Sequence, residues 1–146
     1  MKFDVKKIDT FFVIFLLSVI TICFAFYIEL ALKFIPCSLC KIERLILYLY
    51  ITVFVLFKKC KYFSVFAFVN FASGLCVCLY HIMLEKGIIV DSCKFNISML
   101  NSNVSCAVVS FEIMGVSLTQ FVFLFYFCIL FFLFVEYKRN VKNVKS

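Results

Sequence analysis

Four long apolar runs divide the chain, and short polar stretches separate them. Phe11 to Ile28 is uncharged for 18 residues, with Glu29 just beyond. Leu45 to Phe57 is fully apolar, and the segment leading into it from Cys37 carries Lys41, Glu43 and Arg44. Tyr62 to Leu84 holds 23 residues without a formal charge, and Leu118 to Val135 is a fourth such run. An α-helix rises about 1.5 Å per residue, so roughly 20 apolar residues cross a hydrocarbon core of about 30 Å. The pattern predicts helices over about 11–32, 37–57, 62–84 and 118–135, with one extended polar loop over 85–117. The first run exceeds the apolar region of a signal peptide, usually about 7–15 residues, and no small-x-small cleavage site follows it. It reads as a retained helix.

Composition supports a membrane reading. The 146 residues are 66% hydrophobic and 16% charged, more apolar surface than a soluble domain of this size can bury. The expectation is one all-α membrane domain over 1–146, a four-transmembrane-helix bundle in the lipid bilayer. The net charge of +7 raises nucleic acid as a partner, but its distribution argues against that. Four spans put the amino arm, the Lys58–Lys61 turn and the tail on one side, with ten Lys/Arg and three acids. The other side carries five of each. The positive-inside rule makes the first side cytoplasmic, so both termini are expected there and the 85–117 loop faces outward.

The chemistry gathers at Pro36-Cys37-Ser38-Leu39-Cys40-Lys41-Ile42-Glu43-Arg44. Pro36 suits the first turn of a helix. Cys37 and Cys40 then lie one turn apart, and Cys40 shares a face with Arg44 at i, i+4. A helix N-terminus and a guanidinium both favour thiolate over thiol. Glu43 is expected to orient Arg44 or cap a helix, and Glu29 to lie at the interface.

Cys37, Cys40, Cys93 and Cys106 fall on the outer side, where disulfides persist. They allow three pairings. A Cys93–Cys106 bridge would close a loop of 14 residues, stabilising by about 3 kcal/mol in the chain-entropy estimate. A bridge inside one helical turn constrains little, so Cys37–Cys40 makes more sense as a redox couple than as a staple. Four thiolates around one zinc ion are disfavoured beside Lys41 and Arg44, and no metal is expected. Cys23, Cys60, Cys76, Cys78 and Cys128 lie in or below apolar runs. Cys60 reads as a free cytoplasmic-edge thiol and the rest as packing residues.

These motifs resemble the DsbB family of bacterial disulfide-bond formation proteins. Pro36 to Arg44 is similar to the family's P-C-x-L-C-x-x-[EQ]-R. Tyr80-His81-Ile82-Met83-Leu84-Glu85 resembles the outer end of its third helix. Ser105-Cys106-Ala107, followed by Phe111-Glu112-Ile113-Met114-Gly115-Val116-Ser117-Leu118, is similar to its re-entering C-A…W-x-F-L-G-x-x-M-P stretch. Phe111 stands in place of the usual Trp, Thr119 where Pro is common, and the loop between Cys93 and Cys106 is short.

The resemblance implies an inner-membrane thiol oxidase with its redox cysteines facing the periplasm. Cys93 and Cys106 would form the disulfide that accepts electrons from a DsbA-like thiol oxidoreductase. Cys93 would engage that partner, Cys106 would exchange with Cys37, and Cys40 would face a membrane quinone, ubiquinone or menaquinone. Arg44 would stabilise the Cys40 thiolate and the quinone, and His81 would hydrogen-bond a quinone carbonyl. Two other functions stand beside this one: an outward reductive conduit using Cys76, Cys78 and Cys128, and a non-enzymatic membrane protein with structural disulfides.

Overall fold

The structure is a computed structural model that describes residues 10–31, 33, 35–58, 60, 62–89, 105–106, 112–113 and 115–145. Cys93 and Phe111 lie outside the described residues. The described residues form four helices: α1 (Thr10–Ala31), α2 (Ser38–Phe57), α3 (Phe63–Glu85) and α4 (Leu118–Lys145). The all-helical expectation holds, with one addition. Glu112–Ile113 (β1) and Val116–Ser117 (β2) pair antiparallel, with Glu112 opposite Ser117 and Ile113 opposite Val116. Gly115 turns this ribbon at φ +79°, a backbone state that side chains resist and glycine tolerates.

The helix bounds follow the apolar runs at most ends. α4 departs from them, continuing through the charged tail to Lys145 instead of stopping at Val135. That tail contains no Pro or Gly, so nothing in it breaks the helix. α2 begins one residue later than expected, with Cys37 as its N-cap and Pro36 outside the helix. Lys33 in the short connector adopts φ 51°, which reverses the chain between α1 and α2.

α1, α3 and the Leu118–Lys138 part of α4 are long and apolar enough to cross a membrane. α2 falls short of that standard because Lys41, Glu43 and Arg44 occupy its first two turns, leaving only Leu45 to Phe57 free of charge. Glu43 and Arg44 are nonetheless partnered inside the protein.

The helices pack in a ring: α1 on α2, α2 on α3, α3 on α4, and α4 back on α1 over the shortest contact. The core is aromatic. Tyr50, Phe54, Phe63, Phe71 and Tyr126 are buried together, and the rings of Tyr50 and Phe71 stand 4.7 Å apart. Each buried hydroxyl in this core finds a carbonyl. Tyr50 donates to Phe11 O at 3.0 Å and Tyr126 to Glu43 O at 3.0 Å, as buried polar groups require. Asn70 Nδ2 likewise donates to Ile46 O at 3.1 Å, tying α3 to α2. Gly74 lets α4 approach: a Cβ there would meet the Tyr126 ring at 2.7 Å. The outer surface is covered with Leu, Ile, Val and Phe, among them Ile20, Leu30, Val55 and Phe132. So large an apolar exterior suits lipid and not water.

Candidate functional site

The cysteine pair sits where the connector from α1 meets the first turn of α2. Cys37 is extended (φ −68°, ψ 170°), and its sulfur accepts the backbone N–H of Cys40 at 3.3 Å. The helix thus opens with a sulfur in the place of a capping oxygen, at the positive end of the helix dipole. Cys37 and Cys40 are free thiols with sulfurs 2.8 Å apart. Cys37 is 2% exposed, whereas Cys40 is half-buried. One sulfur faces inward and the other outward.

On the inward side stands His81 of α3. Its Nε2 lies 3.6 Å from Cys37 Sγ, and its Nδ1 lies 3.1 Å from Glu43 Oε1. The carboxylate fixes the ring by accepting from Nδ1–H, which leaves Nε2 aimed at the sulfur. Both ring nitrogens are engaged. The side chain of Glu43 is itself buried, receives a hydrogen bond from Cys78, and has its backbone carbonyl held by Tyr126. Glu43 therefore does not orient Arg44. Consecutive residues on a helix point about 100° apart, so Glu43 turns toward α3 while Arg44 turns toward α1. There Arg44 pairs with Glu29, reaches Ala25 O at 3.4 Å and lies over the Phe26 ring. Glu29 is its partner and not merely an interfacial residue.

On the outward side, Cys40, Arg44 and Leu47 form one stripe at i, i+4, i+7 and line a cavity of about 70 Å³. Glu43 of α2, Thr21, Ile22 and Ala25 of α1, and Leu118, Thr119 and Val122 of α4 complete its mostly apolar wall. His81 is not part of that wall. Thr119 donates to Glu85 Oε1 at 2.6 Å, and Ser117 donates to Glu85 Oε2 at 2.8 Å. The residue that stands where the family commonly has Pro thus fastens the start of α4 to the end of α3.

Cys106 is disulfide-bonded and fully buried. It belongs to one packed cluster with Cys37, Leu39 and Leu84, against which Cys40 also packs. Sequence separation hides this: Cys106 lies 69 residues after Cys37. The expected Cys93 bridge falls outside the described residues. Of the remaining cysteines, Cys78 is buried, whereas Cys23, Cys60, Cys76 and Cys128 are exposed on the outside of the bundle. Three of those expected to pack inside therefore face outward.

Cys37 titrates well below an ordinary thiol, at about 5. The hydrogen bond from Cys40 is the main cause and His81 adds to it, against the opposing effect of burial. An ultraviolet titration of the fully reduced protein is expected to show one thiolate persisting at neutral pH, with a midpoint near 5 that Cys37→Ser removes. The folded value lies below the free one, so the contribution to stability is complete above pH 9.0 and is lost as pH falls toward about 5.

The family model for "Disulfide bond formation protein DsbB" matches residues 7–135. The chain belongs to the DsbB family. Its membership makes this a membrane protein of disulfide bond formation and points to thiol oxidoreductase chemistry. No curated protein and no solved structure matches the chain. In this DsbB-family protein the paired thiols, the buried bridged Cys106 and the Arg44 cavity lie together at one end of the bundle.

Proposed function

We propose that this DsbB-family protein is a bacterial inner-membrane thiol oxidase. It reoxidises a periplasmic DsbA-like protein and passes two electrons to a membrane quinone. Four membrane-crossing helices, α2 among them, would put both termini in the cytoplasm and the cysteines outside, in keeping with the positive charge of the arm, turn and tail. One observation carries the reading. Cys37 is packed in a cluster with the bridged Cys106 while its partner Cys40 opens onto the Arg44 cavity.

The residues divide the work accordingly. Cys93 of a Cys93–Cys106 disulfide takes the partner's thiol in a mixed disulfide, and Cys106 leaves as a thiolate. Cys106 then attacks Cys37 of the Cys37–Cys40 disulfide, and Cys40 leaves as a thiolate into the cavity. The partner's second thiol displaces Cys93 and leaves as the partner's disulfide. Cys93 re-forms its bridge with Cys106, so that Cys37 and Cys40 are left as the reduced pair. Arg44, already neutralised by Glu29, stays in place to stabilise negative charge at Cys40. His81, oriented by Glu43, holds or returns the proton of Cys37 as that sulfur cycles.

A quinone bound in the cavity would supply the acceptor for two electrons and two protons. The lining suits its head group: a guanidinium donor, a sulfur and apolar walls. The cavity of about 70 Å³ accommodates part of a ring and lies between α1, α2 and α4. The energetics are feasible, since a DsbA-type partner near about −120 mV is oxidised by any quinone of higher potential, at 1.4 kcal/mol per roughly 30 mV.

The test is quinol formation by the purified protein with a reduced DsbA-like donor, using ubiquinone and menaquinone in turn. Quinol with either supports the oxidase. Failure with both, while the outer cysteines stay bridged, would select the structural-disulfide alternative. Of the three cysteines of the reductive-conduit reading, Cys76 and Cys128 are exposed on the outside of the bundle and Cys78 is buried, an arrangement that gives it no assembled path.

A further inference from the structure

The donor atoms of Cys37, Cys40 and His81 all lie within 4.8 Å of one another. We propose that, in the reduced protein, these three side chains form a zinc site that caps the cysteine couple and holds it out of the redox cycle. One of the three edges already has the length a tetrahedral ion needs, and the other two lie within reach of it. Zinc–sulfur bonds of about 2.3 Å and zinc–nitrogen bonds of about 2.0–2.1 Å give sulfur–nitrogen edges of roughly 3.6 Å and a sulfur–sulfur edge of roughly 3.8 Å. The Cys37 Sγ–His81 Nε2 edge is already 3.6 Å. The Sγ–Sγ edge is 2.8 Å and opens to the required length by a shift of about 1 Å at the half-buried Cys40.

The surroundings of His81 point the same way. A zinc-bound histidine commonly donates its other ring nitrogen to a carboxylate, which fixes the tautomer and raises ligand basicity. Glu43 Oε1 stands 3.1 Å from Nδ1, leaving Nε2 as the ligand atom. Charge also balances. Two thiolates, a neutral imidazole and a divalent cation sum to zero, unlike four thiolates. The charge of Arg44 beside the site is offset by its ion pair with Glu29. Three protein ligands leave a fourth position for water. Zn²⁺ displaces the proton of the Cys40 thiol and the proton that His81 holds for the Cys37 thiolate, giving the complex and two released protons, with no electron moved. A Cys37–Cys40 disulfide removes two of the three ligands, so the site exists only in the reduced state.

The experiment uses the full chain in detergent, fully reduced or with Cys37–Cys40 oxidised, and zinc itself as the ligand. A chromophoric chelator competes for the ion, and cadmium in parallel reports thiolate ligation by its charge-transfer absorbance. The reduced protein is expected to take one tight equivalent and the oxidised protein none. His81→Gln should weaken binding by at least about 10-fold. Glu43→Gln should weaken it by about 10–100-fold while leaving the two-thiolate absorbance unchanged. Equal binding by the oxidised protein would place the ion at the exposed thiols and overturn the proposal, as would unchanged affinity in both variants. If His81→Gln does not fold, the Glu43→Gln result decides. No quinone or partner is needed, so the outcome is separate from that of the oxidase assay.

Discussion

Cys40→Ser should lower quinol formation by about 10³-fold or more, to the level of the uncatalysed reaction, with the fold intact. Cys40 is the member of the pair that lines the Arg44 cavity, so it alone among the described cysteines combines contact with Cys37 and a route outward. Oxygen for sulfur preserves size and leaves packing almost undisturbed. It removes the sulfur that forms the local disulfide with Cys37 and leaves as a thiolate into the cavity. Cys23→Ser, at an exposed position away from the assembly, should leave the rate within about twofold and the unfolding midpoint unchanged within error. A Cys40→Ser protein that still formed quinol at a tenth of the normal rate would end the two-electron path argued here. A variant that lost its helix content would show Cys40 to be a structural residue.

The second large effect is expected at Glu43. Its carboxylate and His81 form a pair whose side chains are 8% and 3% exposed. Removing one member of a buried pair costs about 3–5 kcal/mol, because the survivor is left without its partner. Glu43→Ala should destabilise by that amount in reversible unfolding from mixed micelles, and Glu43→Gln, which keeps an acceptor for Nδ1–H, by about 1–2 kcal/mol. The double variant with His81→Ala should recover part of the loss, giving a coupling energy of about 1–3 kcal/mol. Simple additivity would mean that the two side chains do not act on each other.

Most of the fold could be read along the chain because lipid-facing helices need long uncharged runs, and these show without any knowledge of packing. The Cys-x-x-Cys, the Arg44 face and the importance of Cys106 were legible for a similar reason: each depends on local spacing or on family likeness. The partnerships were not. Glu43 with His81 and Arg44 with Glu29 span 38 and 15 residues. Which of two adjacent charges turns toward which neighbouring helix depends on rotations that no local pattern records. The same holds for Cys78, read as a packing residue yet hydrogen-bonded to Glu43. One signal was present in principle. Three charges in the first two turns of an otherwise apolar helix require partners inside the protein, and Glu29, His81 and Glu85 were the candidates with matching depth. The ribbon at Gly115 was too short for alternation to register, and α4 outran its apolar run because charged residues also make good helix.

The burial of Cys37 beneath Leu39 and Leu84, with Cys40 turned the other way, has a consequence for what the protein refuses. A small thiol diffusing in solution meets no open sulfur at Cys37, which is 2% exposed. The couple behaves as an insulated contact, closed to stray donors and reached only through the neighbouring cysteine packed against it. On the oxidase reading, such insulation would spare Cys37 from soluble thiols and admit electrons only from a protein that docks correctly, so that the specificity of the pathway would rest on packing as much as on redox potential.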